Sequence, residues 1–268
     1  LEVKGSQPLA GSSLEHQTSA AVGQNLQASK AFVAADGATD VYCPLYRNAH
    51  TKKSQTTGAQ VQNVSNSPVN VEFTVNAGGS TYGPYTATIA AGASETFYAP
   101  SLSPAIPAGT VGSATIKATG GNVVAVVNDA GTDNGVQRKT TYACFGGGGT
   151  TVNVPLAKEF AGGNTTGIQV QNVGTGNTKV TLEYKATNGA ALTIQSTSAI
   201  APGTSITAYG VSSASPEWQV LSSTGSMSGT VNGVVVKADD DVVAIANESS
   251  ASPNPSGQDT KNYEGFNQ

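Results

Sequence analysis

Apolar and polar side chains alternate along most of the chain, and short Gly, Pro and Asn turns interrupt the alternation. In residues 69–73, valine and phenylalanine occupy one face, while Asn70 and Glu72 occupy the other. A period of two predicts β-strands with one buried face. The pattern predicts very little helix and places strands near residues 40–46, 58–64, 69–75, 83–90, 94–99, 111–118, 122–128, 140–145, 151–156, 167–173, 179–185, 190–199, 204–210, 229–237, 241–247 and 261–266.

The same short sequence segments occur twice in the chain, in the same order. GAQVQNV at 58–64 returns as GIQVQNV at 167–173, and VVAVVND at 123–129 returns as VVAIANE at 242–248. Matched segments in one order indicate two copies of one module. Seven or eight short strands per copy predict an all-β fold of two tandem immunoglobulin-like antiparallel β-sandwich domains, with an open barrel as the alternative. The expected division is an extended N-terminal arm (1–39), a first module (40–146), a Gly-rich linker (147–150) and a second module (151–268).

Charge is scarce, since Asp, Glu, Lys and Arg make up 11% of the 268 residues and the net charge is -4. Without a basic stripe to displace counterions from phosphates, nucleic acid is not an expected partner. No apolar run approaches the roughly 18 residues that a spanning helix needs, so no membrane insertion is expected.

Both cysteines belong to the first module, Cys43 near its start and Cys144 near its end, where the second copy has Val154 and Gly265. Because both cysteines are present in one copy and both are missing from the other, we predict a disulfide between the first and last strands of the first module. Two buried free thiols are the alternative. Such a disulfide would place the protein outside the reducing cytoplasm.

The first 39 residues have no second copy. From residue 20 onward, apolar side chains recur at even positions, which predicts an extended strand: Ala20, Val22, Leu26, Ala28 and Phe32. The strand could be donated to a neighbouring subunit, complete its own first module, or belong to a loose leader. Donation would build a head-to-tail filament of copies of the chain itself.

Two repeated features concern surfaces and joints. Gln60, Gln62, Gln169 and Gln171 are expected to point outward as exposed amide ladders. The glycines at 146–149 are expected to permit reorientation of the modules unless an interface fixes them.

Catalytic patterns are missing from the sequence. No GxSxG, HExxH or phosphate loop occurs, His16 and His50 lack metal-ligand spacing, and the acids are too scattered to nominate a glycosidase pair. We therefore expect no enzyme activity, cofactor or metal. Asp239 to Asp241 are expected in a solvated turn, and Trp218 is expected to pack rather than stack on sugar. Three N-x-S/T sequons are candidate glycosylation sites: Asn63, Asn164 and Asn247.

The order PL, GxQVQN, an alternating strand, a GSA or GTV strand, VVAxxN and a closing Tyr-x-x-Phe resembles secreted bacterial tandem-repeat β-sandwich surface proteins. The overall plan is similar to that of donor-strand extracellular filament subunits. The resemblance implies an extracellular location at the cell surface. We expect a structural subunit of a filament or pilus-like fibre; the alternatives are an adhesin or glycan-binding module, for which glycans would be partners, and a surface-layer subunit.

Overall fold

The computed structural model of the protein describes residues 3, 6, 7, 9–17, 25–50, 54–133, 136–211, 215–250 and 260–267. In these ranges the regular structure is β-strand apart from two short 3-10 turns, and all pairings between the strands are antiparallel. The prediction of an all-β, antiparallel fold is confirmed. Within the same ranges, no helix is long and apolar enough to cross a membrane.

The strands of the first half follow the predicted positions closely. They are β1 (Ser12–Gln17), β2 (Asn25–Lys30), β3 (Asp40–Asn48), β4 (Thr56–Asn63), β5 (Val69–Ala77), β6 (Ser80–Ile89), β7 (Ser94–Tyr98), β8 (Thr110–Thr119), β9 (Val123–Asp133) and β10 (Val136–Ala143). The second half contains β11 (Gly149–Glu159), β12 (Asn164–Asn172), β13 (Val180–Ala186), β14 (Ala191–Ser196), β15 (Ser205–Ala208), β16 (Trp218–Thr224), β17 (Thr230–Ser250), β18 (Thr260–Glu264) and β19 (Phe266–Asn267). The pattern missed β1 and β16.

Two four-stranded sheets make up the first module. One has the order β10-β9-β4-β7 and the other β3-β8-β5-β6. Alternate side chains from both sheets meet in one core, which includes Val61, Phe73, Ile116 and Tyr142. The polar residues between them, such as Glu72, face outward as the alternation predicts. Burial of the apolar face is what holds each sheet in its register.

The second module repeats this order of neighbouring strands. Strands β18, β17, β12 and β15 follow one another as β10, β9, β4 and β7 do, and a separate core includes Val170, Leu182, Val236 and Trp218. The difference is that β17 runs through both halves of the module as one strand of 21 residues. In the first module, Gly120 with φ +95° separates β8 from β9. Asp239 to Asp241 replace that turn, so the expected solvated turn is wrong and these residues lie within β17.

A disulfide joins Cys43 to Cys144 across 101 residues, as predicted. Cys43 lies on β3 and Cys144 directly follows β10, so the bond links the two sheets of the first module. The aligned pair in the second module, Val154 and Gly265, has no such bond.

The N-terminal arm is a hairpin and not a single extended strand. β1 pairs with β2, with Leu14 opposite Ala28 and His16 opposite Leu26. Local pairing satisfies one edge of β2 within its own chain, which the even-position pattern did not anticipate. Among the residues the structure describes, no hairpin residue belongs to either core.

Candidate assembly surfaces

The modules contact each other through the outer faces of two sheets. We call the outward side of β12 and β17, with Gln169, Gln171, Val243 and Ile245, the β12–β17 face. It packs on the β3–β8 face of the first module, whose outward residues include Ser113 and Thr115. Gln171, Val243 and Ile245 are each fully buried, and Gln169 is nearly so. The prediction that Gln169 and Gln171 are exposed is therefore wrong, because a second sheet covers them.

Gln171 is at the polar centre of this interface. Its Nε2 lies 3.2 Å from the carbonyl oxygen of Ala114 in the first module and 3.2 Å from that of Gly203 in its own module. The Gly203 carbonyl also accepts from Ser113 Oγ, at 2.7 Å. These bonds satisfy the amide nitrogen of Gln171 and the two carbonyls, whereas Oε1 of Gln171 is buried without a hydrogen-bond partner.

Ile245 supplies the apolar part of the same contact. Although it belongs to the second module, it is fully buried and joins the core of the first. A further tie is made at the strand ends, where the backbone N–H of Ala143 donates to the carboxylate of Glu264. The interface holds the two modules together, so the glycines at 146–149 do not leave the modules free to reorient.

The corresponding surface of the first module is differently covered. We call the outward side of β4 and β9, with Gln60, Gln62, Val124 and Val126, the β4–β9 face. Gln62 is exposed, as predicted, and its Nε2 donates to the carbonyl of Gly92 at 3.3 Å. The other end of the face lies beneath the hairpin.

A cavity of about 240 Å³ separates the hairpin from the β4–β9 face. The hairpin lines it with Glu15, Gln27 and Ser29, and the sheet lines it with residues that include Gln60 and Val126. The ion pair between Glu15 and Lys139, at 3.3 Å, is half-exposed on the hairpin side. Polar side chains across a cavity and an exposed ion pair make a weak contact.

Each module also contains one buried ion pair at matched positions. Arg47 pairs with Asp129 in the first module, and Lys158 pairs with Glu248 at 3.0 Å in the second. Burial raises the pKa of Asp129, and the Arg47 guanidinium opposes that shift. Side-chain exposure is 8% for Arg47 and 24% for Lys158, so the first pair is the more completely removed from water.

The predicted linking strand is only partly within the described residues. Ala20 and Val22 lie outside them. Leu26 and Ala28 lie on β2, where Ala28 is exposed, and Phe32 follows the hairpin, with Lys30 Nζ 5.3 Å from the centroid of its ring.

The sequons differ in accessibility. Asn63 is fully buried, and its Nδ2 donates to the carbonyls of Ser67 and Ile89, so the folded chain does not present it for glycosylation. Its counterpart Asn172 makes the matched bonds to Gly176 and Ile200. Both asparagines clamp a loop between strands. Asn164 and Asn247 are half-buried and remain candidates.

The other singled-out residues have structural partners. Asp240 accepts the N–H of Gly176 at 2.7 Å, and this bond lowers the pKa of its carboxyl. Trp218 packs in the second core and donates from Nε1 to the Thr207 carbonyl at 2.8 Å, as the packing hypothesis expects. Burial lowers the pKa of His50, and the nearby Arg47 adds to the effect. His16 lies on β1.

A second cavity, of about 460 Å³, opens at the module junction. It is lined by residues 35–38 of the arm, 143–147 of the first module and linker, and 264–266 of the second module. Across the described part of the chain, no group of three His, Cys, Asp or Glu residues lies together as a metal site would require.

No family model and no curated protein matches the chain. A solved structure, the Anabaena sensory rhodopsin transducer, matches with 22% identity and a TM-score of 0.29, over 33% of this chain and 94% of that one. A TM-score this low carries no argument about the fold or function of this chain.

Proposed function

We propose that the protein is an extracellular structural protein, a non-catalytic subunit of a cell-surface filament in which copies of the chain join head to tail. The observation that carries the proposal is the contact between the modules. One copy of the module docks on the other through unlike faces, with Gln171 and Ile245 fully buried. A heterologous contact between related units can continue beyond two of them, and a contact that does not close gives a filament.

The repeated strand order and the two cores support the finer architecture, in which each module is an immunoglobulin-like β-sandwich. The resemblance to secreted tandem-repeat surface proteins fits the same picture. The Cys43–Cys144 disulfide supports a location outside the reducing cytoplasm. The partner is another copy of the chain, and glycans are further candidates through Asn164 and Asn247.

The joint expected from the sequence is strand addition by the arm. β1 occupies one edge of β2, and donation of that edge requires β2 to leave β1 and pair with a sheet edge of the next subunit. Two features support such an opening. None of the hairpin residues that the structure describes contributes to either core, and the outward side chains of Leu14 and Ala28 are exposed.

Electron microscopy of the purified full chain, over a range of concentrations, tests the proposal. Filaments with a regular axial repeat are expected. A chain that stays monomeric at every concentration and salt condition contradicts the proposed function.

A locked hairpin tests the joint itself. Leu14 and Ala28 are direct cross-strand partners, so L14C/A28C can be oxidised to hold β1 on β2. Strand addition by an opened hairpin predicts no filaments from the oxidised variant and normal filaments from the unoxidised one. An oxidised variant that still polymerises shows that β2 does not leave β1 to form the joint.

A further inference from the structure

We propose that the β4–β9 face is a docking surface for a second copy of the chain, and that it receives the outward side of β11, β13 and β17 from that copy. The inference deepens the proposed filament and rests on it, since it names the surfaces that join. The contact would reproduce between chains the interface that joins the modules within one chain.

The β4–β9 face carries the same groups as the β12–β17 face. By the repeat, Gln62 corresponds to Gln171, and Gly92 corresponds to Gly203. The amide-to-carbonyl bond within each pair is present in both modules, at 3.3 Å and 3.2 Å. Val124 and Val126 stand where Val243 and Ile245 stand. The second module buries this set against a partner sheet, whereas in the first module Gln62 is exposed, Val126 is half-buried and Val124 is buried.

The opposing face on β17 also has a counterpart in the first module. Ser113 and Thr115, which meet the second module within the chain, correspond to Gly233 and Val235 on β17. Gly233 is exposed and Val235 is half-buried. Val231 on the same side is 36% exposed. This side of β17 is therefore more apolar than its counterpart, and it suits the half-buried Val126.

Charges at the rim also correspond. Glu183 pairs with Lys237 at 2.7 Å, and Glu72 and Lys117 are direct neighbours at the matched positions of the first module. The side chains of Glu72 and Lys117 remain exposed beside the interface within the chain. The equivalent pair would lie at the edge of the contact between chains, where its desolvation cost is small.

The hairpin covers part of the proposed surface. Val126 lines the cavity beneath the hairpin, while its counterpart Ile245 is at the centre of the interface within the chain. A second copy and the hairpin cannot both occupy the space over Val126. The hairpin is thus a cover that must move aside, and its weak contact with the sheet permits this.

A charge exchange tests the surfaces. Within the chain, Gln171 Nε2 lies 3.3 Å from Thr115 Oγ1, so Gln62 of one copy should lie against Val235 of the next. We expect Q62K alone and V235E alone to weaken self-association about tenfold or more, because each buries an unpaired charge. The double variant Q62K/V235E should recover most of the loss. The control V220E changes a valine that is 61% exposed on β16 and should leave association unchanged.

Sedimentation velocity on the full chain measures these effects. Recovery in the double variant supports docking. Singles that associate like the parent, or a double variant no better than the singles, overturn it. Filaments that persist through all of these changes leave the proposed function standing and remove only the docking surface.

Opening the hairpin separates docking from strand addition. Proline at both Ala28 and Ser29 removes a ladder hydrogen bond whichever of the two residues makes it. Docking predicts stronger association of the A28P/S29P chain, because the β4–β9 face is uncovered. Strand addition predicts weaker association, because β2 can no longer pair. If the A28P/S29P chain stays monomeric at high concentration, docking is overturned. If the A28P/S29P chain associates and the parent chain does not, the result supports docking and contradicts the arm as the joint.

Discussion

The β4–β9 and β12–β17 faces share the segment QVQN and nearly the same hydrogen bonds, yet their surroundings differ. Gln62 is exposed, and Gln171 is fully buried against the first module. In both strands the valine between the glutamines points into its own core. The local sequence therefore decides which side of a strand faces the core. What covers the other side is decided by distant residues.

The largest difference expected concerns the disulfide, which only the first module has. Replacing both cysteines, in C43A/C144A, should cost the first module about 4 kcal/mol, because closing a loop of 101 residues restricts the unfolded chain. Hydrogen exchange followed by mass spectrometry should show faster exchange in β3 and β10 and a smaller change in β13 and β14. Equal loss of protection in both modules contradicts independent cores.

The next largest difference in stability is expected between variants of the two buried ion pairs. R47M leaves the carboxylate of Asp129 buried without its cation, and we expect a loss of about 3 kcal/mol. K158M also leaves a buried carboxylate, that of Glu248 at 4% exposure, and should cost somewhat less, about 2 kcal/mol, because water already reaches the more exposed Lys158 end of the pair. Urea unfolding of both variants measures the difference. Equal losses would show that exposure does not set the cost of these pairs.

Ile245 and Val126 occupy matched positions with different neighbours. I245A removes a fully buried side chain from the core of the first module, and a loss of about 2–3 kcal/mol is expected. V126A removes a half-buried side chain beneath the hairpin and should cost less than about 1 kcal/mol. The I245A variant should also make the backbone of both modules near their junction more accessible to proteases, and limited proteolysis measures this change. A larger effect for V126A would mean that the hairpin packs more firmly than its cavity indicates.

Much of the fold was predictable from the sequence because a period of two marks a half-buried strand. The position of β5 and the outward Glu72 follow from that pattern alone. The disulfide was predictable because Cys43 and Cys144 occur at opposite ends of a single copy.

Other features depended on contacts that no local pattern encodes. β16 was missed because only its first residue, Trp218, is buried, so it shows no alternation. The even-position pattern from residue 20 predicted one strand, but its apolar residue Ala28 faces solvent in a hairpin. The burial of Gln171 could not be predicted, because it depends on how two sheets far apart in sequence meet.

Gln171 and Gln62 give the smallest difference expected and the most direct comparison. Q171L replaces the amide with a slightly shorter apolar side chain and removes the donor to the carbonyls of Ala114 and Gly203. Gly203 retains Ser113 as a donor, and Oε1 of Gln171 has no hydrogen-bond partner to lose. A net loss of about 1 kcal/mol is therefore expected, below the cost of leaving several buried groups unpaired.

Q62L should change the stability of the monomer by less than about 0.5 kcal/mol, since water replaces the lost donor. Chemical denaturation at a concentration too low for self-association measures both values, and a Q62L loss as large as that of Q171L would show that coverage by the partner sheet does not distinguish the two faces.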